Sequence, residues 1–348
     1  MNKNKKKMDS EKLVQILMDN KALVILVIFV LVVCCLTNDF FSSRNLTNIL
    51  RQICTSCVLS LGFTLVLSSG MIDLSVGYML GMIGIATAMM SVSGVSAPVV
   101  ILAALVIGGF CGFLNAFITS MFNLAPFIVT LAMGMVYQGI NLLLCHAKSI
   151  AGLPDWYLFF GTGKILGIPF PVIVMITLVV VMAVVVQRTK FGRYALAVGG
   201  NKKAARVCGI PTTKIMYSVY IITGVCVGMS ALLLTGRTAS AQTTAGAGME
   251  LDAVAAVVIG GTPMEGGKAN VFGTLIGCLL IQVISNSLNL LGVDSNWQKI
   301  AKGLVIIVAI ILDQQGSRLL DKMSFPGYRI PTQRIGMGCL CVRESIPS

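Results

Sequence analysis

The sequence predicts an all-α polytopic membrane protein of about ten transmembrane elements, two inverted five-helix repeats with short broken helices. Three observations predict it. Of 348 residues, 56% are hydrophobic and 11% charged, against roughly 25% charged in soluble domains. Apolar runs of crossing length recur between basic, proline-bearing or glycine-bearing joints. One apolar run is too short: residues 253–259 are all Ala, Val or Ile, yet Gly260, Gly261, Thr262 and Pro263 stop it far below the ~20 residues that cross a bilayer. Interrupted backbone at membrane depth survives only where protein or a wet path satisfies its amides, and in transporters such places bind or pass the substrate.

The elements follow in order. Residues 1–21 carry six Lys and three acidic residues and read as a cytoplasmic tail. The first span, 22–36, has no cleavage site after it and reads as a retained anchor. The second, 49–68, ends at GMIDLSVG (70–77), which leads into a third at 78–90. Pro98 opens a fourth span ending near Thr119 and Pro126 a fifth ending near Cys145, each proline where its missing N–H costs least. Residues 146–167, with Trp156 and Tyr157, read as a polar interfacial loop, and His146 as a solvated loop histidine. The sixth span is 168–186. Residues 188–214 then carry seven basic and no acidic residues, which places that loop in the cytoplasm. Spans at 215–235, 250–261, 271–291 and 300–312 complete the transmembrane domain, 22–313, and 314–348 form a cytoplasmic tail.

Ten crossings that start inside put both termini and the 188–214 loop on the cytoplasmic face, and these segments hold 18 of the 26 basic residues. The formal charge of +13 is therefore read as topology, with the lipid bilayer as environment and no nucleic acid as partner. Eleven Cys residues form no disulfide framework. Cys54 and Cys57 have C-x-x-C spacing but stand in an apolar stretch of a chain with one His, so no metal site is assigned. A weak internal repeat pairs residues 66–84 with 257–277: a short β-branched run, a Gly-centred break, then spaced glycines. The two halves are placed five crossings apart, and an odd offset inverts the second copy. Gly81, Gly84, Gly273 and Gly277 read as close-packing positions.

GMIDLSVG (70–77), NAFITSMFNLAPFIVTLAMGM (115–135), TKFGRYALAVGGNKKAARVCGI (189–210), AGAGMELDAVAAVVIGGTPMEGG (245–267), and FGTLIG (272–277) with NSLNLLGV (286–293) stand in one order along the chain. Together they resemble the permease subunits of ribose-type bacterial ABC sugar importers. The resemblance implies a non-catalytic subunit in the bacterial plasma membrane that forms the path for a monosaccharide, ribose first, with xylose, galactose and related sugars beside it. It also implies a second permease subunit, identical or different, a cytoplasmic ABC ATPase subunit that binds the ATP and Mg, and an extracytoplasmic sugar-binding protein.

The residues bear on that reading directly. The nearest approach to a phosphate-binding loop, Gly267-Lys268-Ala269, lacks a Gly at Thr262 and a Ser or Thr at Ala269, so no nucleotide cofactor is assigned to this chain. Residues 201–209 read as a short surface helix with a glycine stop. It resembles the coupling helix of ABC permeases, which assigns ATPase coupling to Asn201, Lys202, Lys203, Ala204, Ala205, Arg206 and Gly209, with Lys203 where the family often has Glu. Asp73, Glu250 and Asp252 are acidic residues near membrane depth, where an unpaired carboxylate costs about 2.5 to 3.5 kcal/mol on insertion scales. Each either lines the sugar path or, for Asp73 and Asp252, caps a broken helix through backbone amides. The candidate path or gate residues are Asp73, Ser75, Gly77, Asn115, Glu250, Asp252, Gly260, Gly261 and Thr262. An ion-coupled secondary transporter is the alternative, because inverted five-helix repeats with broken helices describe that class as well.

Overall fold

The computed structural model describes residues 26–27, 29–31, 39–294, 296–304 and 307. The elements are α1 (Ser43–Ser68), α2 (Val76–Val92), α3 (Ala97–Met121), α4 (Pro126–Leu144), α5 (Asp155–Thr162), a hairpin of β1 (Lys164–Ile165) and β2 (Ile168–Pro169), α6 (Phe170–Arg188), α7 (Lys190–Gly200), α8 (Lys202–Val207), α9 (Thr212–Thr238), α10 (Met249–Ile259) and α11 (Val271–Leu290). Residues 26–27, 29–31, 296–304 and 307 are also helical. Both expected tails, and parts of the first and last expected spans, lie outside the described residues.

Among the described residues, six helices (α1, α3, α4, α6, α9 and α11) are long and apolar enough to cross a membrane, and α2 is a shorter apolar helix. They sort by burial. The apolar windows of α1 and α9 are 78% buried and that of α11 67%, against 28 to 33% for α3, α4 and α6. The first three form the centre, and the others turn most of their surface outward.

Close backbone approach builds the α3–α9 seam. A Cβ on Gly108 would overlap the Gly224 carbonyl, one on Gly112 the Tyr220 carbonyl, and one on Gly228 the Ala104 carbonyl. Small residues four apart let helices meet this way where lipid offers no hydrophobic drive. The pairs 104–228, 108–224 and 112–220 make the two helices antiparallel. α9 also runs antiparallel to α1: Thr223 Oγ1 donates to Gly62 O at 3.0 Å and Ser230 Oγ to Thr55 O at 2.8 Å. α11 reverses α1 again, through a Thr64–Thr274 hydroxyl pair at 2.8 Å, Gln282 Nε2 on Ser56 Oγ at 2.6 Å and Asn286 Nδ2 on Asn45 Oδ1 at 2.8 Å.

Two ends of the molecule follow from these directions. At the basic end lie α7, α8, the end of α1 and the α10–α11 turn, with Gly199 packed on the Ser68 carbonyl and Gly267. At the opposite end α5 packs through Gly161 on the backbone of Gly236 and Arg237. There Ile150 and Ala241 also form a two-residue bridge. The expected interfacial loop at 146–167 thus contains a helix and a hairpin. Pro154 is the N-cap of α5, and buried Tyr157 and Gly161 give it a packing face that polar composition hides.

The repeat needs correction. Gly70 and Gly266 touch, so the breaks after α1 and after α10 open on the same end, whereas inverted mates must open on opposite ends. The spaced glycines behind the expected pairing do pack closely: Gly81 on Ala245, Gly84 on Thr235, Gly273 on Gly260 and Gly277 on Ala256. Close packing carries no direction, which is why that spacing misleads. The segment that comes in from the opposite end before a short helix is 239–248, ahead of α10.

Candidate functional site

Two short helices begin inside the molecule with their N-terminal ends facing each other. Residues 69–75 run in from the basic end to the start of α2, and 241–248 run from the opposite end to the start of α10. They meet where Gly77 packs against Gly246 and the Glu250 carboxylate. Gly246 and Gly248 both have φ +85°, a backbone that L side chains rarely adopt.

The start of α2 is held by a closed polar network. Asp73 stands two residues before the N-cap Ser75 and accepts its N–H at 3.0 Å and its hydroxyl at 2.6 Å. Asn115 Nδ2 from α3 donates to Ser75 Oγ at 2.8 Å and lies 3.4 Å from Asp73 Oδ2. Tyr137 Oη from α4 lies 3.0 Å from both Asn115 Oδ1 and the Cys111 carbonyl. The broken backbone is satisfied too: Leu74 N–H donates to Thr130 Oγ1 at 3.1 Å, and Tyr220 Oη to Ile72 O at 3.3 Å. Asp73, Ser75 and Asn115 are fully buried. The positive end of a helix and several donors stabilise a carboxylate that would otherwise be costly at this depth.

The start of α10 is more open. Glu250 accepts the Gly248 N–H at 3.1 Å. Asp252 accepts from Lys302 Nζ at 2.9 Å. Asn141 Nδ2 from α4 donates to Thr243 O at 2.9 Å, while its buried Oδ1 has no partner among the described residues.

At the basic end α8 is a capped surface helix. Asn201 Oδ1 accepts the Ala204 N–H at 2.9 Å. Gly209, at φ +80°, lets its own N–H reach Arg206 O and the Ile210 N–H reach Ala205 O, each at 3.0 Å, a Schellman stop. Lys202, Lys203, Arg206 and Val207 are exposed, Val207 at 89%, and Ala205 is buried. Beside α8 is a cavity of about 370 Å³ lined by Gly70, Thr119, Gly199, Lys202 and Glu265 among others. The Gly267 N–H donates to Ser68 O at 2.8 Å, and Gly199 of α7 packs on both, so α7 touches both breaks directly.

Residues 45–310 match a family described as "Branched-chain amino acid transport system / permease component". The chain belongs to this permease family. The ribose import permease protein RbsC of Bacillus subtilis is 42% identical over 294 residues, 84% of this chain and 91% of that protein. The ribose import permease protein RbsC of Escherichia coli K12 is 38% identical over 303 residues, 86% of this chain and 94% of that one. The D-allose transport system permease protein AlsC of Escherichia coli K12 is 35% identical over 285 residues, 81% and 86% of the two chains. No solved structure matches the chain significantly.

In this permease the expected path residues divide into two places. Asp73, Ser75 and Asn115 share one network, and Gly77 and Glu250 stand beside each other. Gly260, Gly261 and Thr262 lie at the far end of α10, about 16 Å away at the rise of an eleven-residue helix. There Thr262 Oγ1 accepts the Asn270 N–H at 3.0 Å and Gly260 packs on Gly273. Asp252 pairs with an ammonium rather than capping through a backbone amide. Sequence reasoning missed Thr130, Tyr137 and Asn141, although a signal was available: with Val129 and Gly134 they form the whole buried face of α4, a polar stripe at spacings of four, three and four residues on an otherwise lipid-facing helix.

Proposed function

We propose that this permease forms the path for a monosaccharide, ribose first, in an ATP-driven importer of the bacterial plasma membrane. The observation that carries the reading is 38 to 42% identity, over more than four-fifths of the chain, to proteins named as ribose import permeases. The family description names amino acids, but an allose permease is also among these relatives, which favours sugars. The path passes between the facing starts of α2 and α10, closed in this state by the Asp73–Ser75–Asn115 network. Ten elements in two inverted halves, with α2 and α10 as the paired half-helices, put α8 and both termini in the cytoplasm. The domains are then a tail at 1–21, the membrane domain at 22–313 and a tail at 314–348.

A second permease subunit completes the membrane dimer, and a cytoplasmic ATPase subunit docks on α8 and binds the ATP and Mg; this chain performs no catalysis. An extracytoplasmic binding protein delivers the sugar. Reconstitution of the permease in proteoliposomes with its ATPase and binding protein tests the proposal. Ribose uptake must require all three and ATP. Uptake by the permease alone, driven by a sodium or proton gradient, would instead establish the secondary-transporter alternative.

A further inference from the structure

Half-helix α10 is held by different forces at its two ends. Its C-terminal end packs backbone to backbone on α11, Ala256 on Gly277 and Gly260 on Gly273, and so moves with it. Its N-terminal end hangs from two glycines at φ +85° and carries two first-turn carboxylates, Glu250 and Asp252. Asp252 forms an ion pair with Lys302, with the side chains 19% and 24% exposed. Lys302 stands on the helical segment 296–304. That segment is tied to the end of α11 by Gln298, whose Nε2 donates to Asn289 Oδ1 and Val293 O at 2.8 Å each. The ion pair therefore clips the start of α10 back onto its own hairpin, two residues from Glu250, which meets Gly77.

We propose that Lys302 is a positioning residue for transport, its pair with Asp252 acting as a latch that sets the first turn of α10 against α2. The inference rests on the importer reading. An ammonium–carboxylate pair at membrane depth is held by Coulombic attraction against the desolvation cost of both charges, so removing one partner leaves the other uncompensated in a poor environment. Removing Lys302 also leaves Glu250 and Asp252 unneutralised two residues apart. The same pair is breakable in a single step, unlike the glycine seam at the other end of α10. No packing signal along the sequence marks Lys302, because its partner is fifty residues away.

Transport by the assembled complex in proteoliposomes tests the latch. Lys302→Gln should lower maximal ribose uptake by about tenfold, within the range of a coupling free energy, with the half-saturating concentration of loaded binding protein unchanged. Lys302→Arg should keep near-normal uptake, and the exchange Asp252→Lys with Lys302→Asp should transport faster than either single variant. The neutral pair Asp252→Asn with Lys302→Met leaves no lone charge and so should assemble, yet still transport slowly. Wild-type uptake in that neutral pair, or an exchange variant no better than the singles, overturns the latch. A double-mutant cycle on thermal unfolding needs no substrate, and additive effects of the two residues would overturn it as well. Failure of the importer reading looks different: the wild-type complex then imports no ribose, xylose or galactose.

Discussion

Asp73 is fully buried, yet every group aimed at it is neutral: the Ser75 N–H and hydroxyl and the Asn115 amide. Such a network stands or falls by complete satisfaction, because an orphaned buried polar group costs more than the mean hydrogen bond gains. Asn115→Leu should thus lower the stability of the detergent-solubilised permease by about 1 to 3 kcal/mol, read as a fall in its thermal midpoint. Asn115→Asp should be worse, since it keeps an acceptor for Tyr137 but sets a second carboxylate beside Asp73. Equal midpoints for wild type and Asn115→Leu would show that the network carries no stability. The members of this site differ in how legible they are. Asp73 stands out because a carboxylate in an apolar chain demands a partner. Asn115 stands out less, since interhelical hydrogen bonding is the ordinary use of such a residue. Lys302 does not stand out at all, because only the return of the chain beside α10 brings it to Asp252.

A helix can be legible while its orientation is not. The Gly209 stop of α8 takes the expected form, and the Asn201 cap that the structure adds is an equally local feature. Which face points outward depends on what lies beneath, and there the Ala-Ala pair reverses its apparent meaning: Ala205 is buried and Val207 is the exposed apolar residue. Ala205→Arg should therefore overpack the seat of α8 and destabilise the permease by about 1 to 3 kcal/mol, seen in its unfolding midpoint without any partner present. Val207→Asp should leave that midpoint unchanged and weaken ATPase retention by about 1 to 2 kcal/mol, the scale of an apolar contact at an interface, measured by titrating ATPase onto immobilised permease. Undiminished ATPase binding by Val207→Asp would remove α8 from the docking surface. α5 is the opposite case, an element hidden by composition. Its eight residues bury only Tyr157 and Gly161, too little for a periodic signal.

Over the whole molecule, apolar run length announces the long helices and marks α2 and α10 as short, but the extended segments that carry these half-helices to depth show only in the fold. Direction is legible only through charge. Arg188, Lys190, Arg193, Lys202, Lys203, Arg206 and Lys214 crowd the end where α6 stops and α9 starts, and the proposed orientation sets that end in the cytoplasm, as the positive-inside rule favours. The hairpin tip Leu166, 97% exposed, lies on the segment that joins α5 to the start of α6, and antiparallel packing puts it at the other end. The protein carries a native reporter of the distinction: of the seven described cysteines, Cys208 is exposed and the other six are buried. A membrane-impermeant maleimide should label Cys208 in inside-out vesicles and spare it in right-side-out ones, with Cys208→Ser as the blank that subtracts cysteines elsewhere in the chain. Leu166→Cys, placed in the Cys208→Ser background, should show the reverse pattern. Labelling of Cys208 from the outside would turn the proposed orientation over. It would place the docking surface where no ATP is supplied, and the importer reading would fall with it.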